Sequence, residues 1–144
     1  MKSAVLLSTL VLAVSAATPA MAAGVKTHFL DHSNDALIDD KTAFAIMGEA
    51  VPAKVWKIYP ASKYAFLSQV EGGVNAAGTC VVAARVMVLP LTATLRAPLF
   101  RPLPKLTATA YDAAPNSNAE ACKAMAKDKL KTATQAIVSN IIKT

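Results

Sequence analysis

The sequence predicts an α+β fold: an antiparallel sheet of three or four strands, a long C-terminal helix packed on one face, and a shorter N-terminal helix. Three observations carry that expectation. Apolar residues between Phe44 and Ile58 recur at helical spacing. Between Tyr64 and Asp112 they alternate in short runs, as strands with two different faces do. From Cys122 to Ile141 the helical spacing returns and persists.

Residues 1–22 have the layout of a cleaved signal peptide. Met1-Lys2 supplies a positive start, Ala4–Ala17 an apolar run, and Ala20-Met21-Ala22 a small-residue cleavage site. The apolar run is shorter than the roughly 20 residues a membrane-spanning helix needs. The later apolar stretch Val81–Leu91 is interrupted by Arg85 and Pro90, so no transmembrane segment is expected. A lipoprotein would carry a cysteine just after the cleavage site, whereas the first cysteine is Cys80. The expectation is a soluble exported bacterial protein, periplasmic or secreted, with residues 23–144 forming a single small domain.

Residues 23–38 are polar and broken by His32-Ser33-Asn34-Asp35, which predicts an irregular lead-in. Asp39-Asp40 places two acids where a helix N-terminus favours them, through capping and the helix dipole. Phe44, Met47, Val51, Val55 and Ile58 then lie on one helical face. Pro52 interrupts that face, predicting a helix over about 40–50 and a helical turn at 53–58, with a strand at 54–59 as the alternative. After the Pro60-Ala61-Ser62 break, Tyr64, Phe66, Ser68 and Val70 face one way and Ala65, Leu67, Gln69 and Glu71 the other. Gly72-Gly73 suggests a bulge or the end of that strand, and Asn75–Gly78 fits a type I turn. Thr79–Leu89 is the strongest strand, with Cys80, Val82, Ala84, Val86 and Val88 on one face, and should pair antiparallel with the strand before it. Four prolines between Pro90 and Pro104 predict strand extension through Leu95 and a loop at 97–104. Leu106–Asp112 alternates as a third strand. Ser117 followed by Glu120 has the spacing of a capping box, opening a helix over about 118–142. Its apolar face is Cys122, Ala126, Leu130, Ala133, Ile137 and Ile141.

In an oxidising compartment two cysteines are most simply one disulfide, Cys80–Cys122. That bridge would pin the first turn of the C-terminal helix to the central strand and take both thiols out of catalysis. Charge is unevenly spread. Residues 23–50 carry five acids against Lys26 and Lys41, whereas residues 51–144 carry twelve Lys and Arg against four acids, a net +8. A basic body can be drawn to an anionic envelope polymer or an acidic envelope protein.

Four candidate sites follow. His28, Asp31 and His32 would form a weak divalent-metal set if the segment were helical, since histidines four apart share a helix face. Lys54, Trp56, Lys57, Tyr59, Lys63 and Tyr64 interleave charge with rings, a pattern suited to glycan, nucleic-acid or protein contact. The blander reading is a half-buried element whose rings belong to the core while its lysines run outward, and nucleic acid is not the expected partner. Leu99–Pro104, centred on Phe100, is an apolar loop that either folds back or presents a contact surface. Lys123, Lys127 and Lys131 form a stripe best read as a solvated helix face.

No enzyme and no cofactor are expected. There is no G-x-S-x-G elbow, the thiols are paired, and each carboxylate after residue 50 has an adequate structural role. The expected function is that of a small exported, non-enzymatic accessory or binding protein. Its alternatives are a weak metal binder using His28, Asp31 and His32, and an inhibitor or adaptor of an envelope enzyme. The proposed binding residues are Trp56, Tyr59, Tyr64 and Phe100.

Overall fold

A computed structural model describes residues 26–92 and 103–143. Its element order is β1 (Phe29–Asp31), α1 (Asp40–Ala50), α2 (Ala53–Ile58), β2 (Tyr64–Val74), β3 (Cys80–Pro90), β4 (Leu106–Ala114) and α3 (Ala119–Lys143). The class is α+β, with the strands in the spatial order β1-β2-β3-β4. The sheet is mixed and not purely antiparallel. β2–β3 and β3–β4 are antiparallel, but β1 runs parallel to β2, matching Phe29 to Phe66 and Asp31 to Ser68. Helices α1 and α2 form the connection between β1 and β2, the crossover that a parallel pair requires.

Within the lead-in expected to be irregular over residues 23–38, Phe29–Asp31 form a docked strand, β1, while the described residues on either side of it are coil or turn. The three residues of β1 are too few to show alternation, and the polar sequence around them hides a docked edge. His32 N–H donates to Ser68 O and Phe66 N–H to His28 O, carrying the ladder just beyond the strand at both ends. Leu37 and Ile38, on the same segment, are buried.

Asp39 caps α1 by accepting from Thr42 N at 2.7 Å. The helix ends at Ala50 because Val51 precedes Pro52 and takes extended backbone angles. Pro52 then opens α2, so residues 53–58 are helical and the strand alternative at 54–59 is not realised. Proline suits the start of a helix, where its missing N–H has no intrahelical acceptor.

Strand β2 continues through Gly72-Gly73, which therefore lie inside it and do not end it. Both have positive φ, and a Cβ on Gly72 would sit 2.0 Å from Val81 O. Only glycine lets β3 approach there. The hairpin closes at Asn75–Gly78, where Gly78 N–H donates to Asn75 O and the Asn75 side chain accepts from Ala77 N and Thr79 N. This is the turn expected from the asparagine-to-glycine spacing.

Helix α3 begins one residue later than the capping box implies. Asn118 is the cap, its Oδ1 accepting from Ala121 N at 2.8 Å, while Ser117 Oγ donates back to Ala114 O. Glu120 instead pairs with Lys123. Asparagine caps as well as serine, and the chain turning out of β4 has already engaged the serine hydroxyl.

The core lies between α1, α2 and α3 on one side and one face of the sheet on the other. Cys80, Val82, Ala84, Val86 and Val88 are all fully buried there, opposite Cys122, Ala126, Leu130, Ala133, Ile137 and Ile141 of α3. Burial of side chains such as Phe66, Leu130 and Ile137 contributes roughly 1.5–3 kcal/mol each. Thr134, also buried on this helix face, satisfies its hydroxyl by donating to Leu130 O. The Cys80 and Cys122 sulfurs stand 1.96 Å apart with Cα atoms 5.5 Å apart, at disulfide distance, joining β3 to the first turn of α3.

Among the described residues no helix is long and apolar enough to cross a membrane. The signal segment 1–22, the strand extension through Leu95 and Phe100 with most of its loop lie outside the described residues.

Candidate functional site

Four aromatic residues, Phe29, Phe44, Trp56 and Phe66, are drawn into one cluster. Phe29 on β1 meets Trp56 of α2 edge to face at 5.5 Å between ring centres, and Phe66 of β2 at 6.5 Å. Trp56 meets Phe66 at 5.1 Å, and Phe44 stacks on Phe29 at 6.4 Å. Trp56 is only 6% exposed, because α2 is short and turns Val55 and Trp56 together onto the sheet. Its ring is therefore not an open stacking platform. Tyr59 and Tyr64 pack against each other at 5.0 Å and are half-buried against the core. Lys54, Lys57 and Lys63 point into solvent. The segment has the arrangement of rings inward and lysines outward.

One part of that segment is nevertheless concave. A pocket of about 300 Å³ lies where α2, the Pro60 turn and the start of β1 meet, lined by Lys26, Trp56, Lys57, Pro60, Ala61 and Ser62. A neighbouring hollow of about 430 Å³ shares Lys26, Ala61 and Ser62 with it and adds Thr27 and His28. No carboxylate lines either one. The polar groups offered are two ammonium groups, hydroxyls and an imidazole, beside the apolar Trp56 and Pro60. Trp56 Nε1 is the one buried side-chain polar atom without a hydrogen-bond partner among the described residues. Such a set suits a ligand that presents negative charge or hydrogen-bond acceptors.

Lys26 and Ser62 enter this site without a signal in the sequence. Lys26 sits in what reads as a polar lead-in, and Ser62 in what reads as a break. Parallel pairing of β1 with β2 brings the two segments side by side.

The His28, Asp31 and His32 set is not gathered. The segment is extended, so the two histidines fall on one side of it about 13 Å apart, and Asp31 on the other. Asp31 accepts hydrogen bonds from Ser33 Oγ and from the buried Ser68 Oγ, and Ser33 Oγ in turn accepts from Val70 N. That network fastens β1 to β2. Among the described residues no three His, Cys, Asp or Glu side chains are grouped as a metal site.

A larger open groove of about 570 Å³ runs between α1 and α3, lined by Asp39, Lys41, Glu49, Lys127, Asp128 and Lys131 over Ala45 and Ile46. Its charges alternate in sign and compensate one another across the groove. Hydrogen bonds from Thr42 hold the Asp39 carboxyl below its ordinary value, and Lys127 adds a smaller attraction. Lys127 of the lysine stripe thus faces Asp39 at the start of α1, Lys131 lines the same groove, and Lys123 bonds Glu120 at 3.0 Å. On the far side of α3, Lys129 bonds Asp112 at 2.9 Å and Asp128 at 3.2 Å. Those contacts lower the Asp112 carboxyl and raise the lysine. Asp112, Glu120 and Asp128 each have a basic partner, while Glu71 stands exposed on the outer sheet face.

No protein-family model matches the chain, and no curated protein is significantly similar to it. The site therefore has to be read from its own chemistry.

Proposed function

We propose that this chain is an exported, non-enzymatic binding protein whose ligand carries negative charge, seated in the pocket between Lys26, Trp56, Lys57 and Ser62. The supporting observation is the lining itself: two lysines and a serine, without a carboxylate, around an apolar wall. The net +8 of residues 51–144 would raise the local concentration of an anionic envelope polymer or acidic partner. Export is supported by the layout of residues 1–22 and by the cysteine pair at disulfide distance.

Trp56 is the single tryptophan of the chain, so its emission reports on this pocket directly. Titration with a soluble anionic polysaccharide and with small carboxylates should give a saturable change in emission for at least one of them. The Lys26→Ala/Lys57→Ala variant should lose that response, and Lys127→Ala/Lys131→Ala, in the other groove, should retain it. Equal weakening of both variants would mean that net charge alone draws the anion, and the pocket assignment would fall. Export is checked separately by N-terminal sequencing of protein from the envelope fraction, expected to start at Ala23.

A further inference from the structure

The two hollows beside Trp56 form one cleft with unlike ends. They share Lys26, Ala61 and Ser62, which line both. On the α2 side the lining adds Ala53, Trp56 and Pro60, with Lys57 as the one further charge. On the β1 side it adds only Thr27 and His28. One end therefore offers an indole, a proline ring and a methyl group, and the other a hydroxyl and an imidazole.

The walls are fixed before anything binds. Trp56 is held edge to face against Phe29 and Phe66. Pro60 O accepts from Lys63 N and Tyr64 N, and His28 O accepts from Phe66 N. The polar side chains of the cleft, by contrast, are uncommitted. Among the described residues the side chains of Lys26, Thr27, His28, Lys57 and Ser62 make no hydrogen bond or ion pair. In the groove between α1 and α3 the lysines face acids, whereas here positive charge meets none. A preorganised cleft with free donors loses little by ordering itself around a ligand.

Resting on the anion-binding function proposed above, we infer that the ligand is a small amphipathic acid. Its carboxylate head sits between Lys26 and Ser62, and its apolar body lies along Trp56, Ala53 and Pro60. The head receives charge-assisted hydrogen bonds from the ammonium and the hydroxyl. The body takes its own apolar surface and that of the wall out of water, a gain that no lysine contact supplies. A polymer with a charge on every unit would leave that wall wet. At about 300 Å³ the α2 hollow is small for a ligand pocket, which suits a short alkyl chain or a single ring and not a lipid tail.

The test is titration of Trp56 emission in the chain isolated from an exporting host. The probes are straight-chain carboxylates from acetate to octanoate and the alcohols of matching length. The dissociation constant of the acids should fall about fourfold with each added methylene, then level off once the hollow is full. The alcohols should bind about tenfold more weakly or worse. Ala53→Phe, at an exposed position opening α2, fills the hollow and should flatten the dependence on length. Lys26→Ala should weaken every acid by a similar factor and keep that dependence. Circular dichroism verifies that both variants fold. One constant for all lengths overturns the amphipathic assignment and leaves the anion-binding function standing. So does a chain that binds an anionic polysaccharide but none of these acids, whereas binding of neither ends both. Alcohols that bind as well as the acids also overturn both. A fall with length that persists in Ala53→Phe places the alkyl chain elsewhere and overturns the assignment to the Trp56 wall.

Discussion

Several residues matter through a single contact or angle. Gly72 is the sharpest case, because its φ of +131° is open to glycine and its missing Cβ is what admits the Val81 carbonyl. Gly72→Ala combines backbone strain with a backbone collision, and should destabilise the fold by about 2 kcal/mol or more in urea denaturation. Gly73 also has a positive φ, +149°, but a Cβ there meets nothing within 4 Å, so Gly73→Ala should cost clearly less. Equal losses would mean that backbone strain outweighs the close approach. Asp31 shows how a residue's chemistry depends on its surroundings. Beside two histidines in the sequence it looks like a metal ligand, yet in the fold it accepts from Ser33 and Ser68. Period two, instead of 3.6, sends it to the opposite side from His28 and His32.

The long elements were legible because periodicity repeats over many residues. The apolar face of α3, the inward row of β3 and the Asn75–Gly78 hairpin all stand where spacing predicted. The boundaries were less so, since each depends on one or two contacts. The start of α3 is the clearest example. Asn118→Ala should lower stability by about 1 kcal/mol, as loss of a helix cap does. Ser117→Ala should cost less, because its hydroxyl bonds the Ala114 carbonyl and not the helix. Thermal denaturation of the two variants side by side checks the assignment, and the reverse order would restore the serine cap. Element α2 was ambiguous for a related reason. Val, Trp and Ile favour strands locally, but Pro52 and the packing of Val55 and Trp56 onto the sheet select a helical turn.

At the scale of the molecule, the Cys80–Cys122 pair ties the central strand to the longest helix across a sequence separation of 42. Closing a loop of that length removes unfolded-state entropy equivalent to roughly 4 kcal/mol in the chain-entropy model. The Cys80→Ala/Cys122→Ala variant should therefore have a lower denaturation midpoint by up to about that amount, and a reductant should move the wild type toward the variant. A wild type insensitive to reductant, with two titratable thiols after export, would contradict both the bridge and the compartment. The candidate pocket belongs to this scale as well. Its lysines come from segments more than thirty residues apart, joined only when β1 docks beside β2.

The amino-acid sequence by itself determined the class of the fold, the core faces of its longer elements, the pairing partner of each cysteine and the uneven charge. These follow from local spacing, from composition and from there being only two cysteines. Tertiary structure alone decided the parallel edge strand, the burial of Trp56, the dispersal of the histidine set and the pocket around Lys26. Each of those depends on which distant segments become neighbours. Hydrogen bonds between β1 and β2, and the packing of α2 onto the sheet, decide that, and neither leaves a periodic mark along the chain.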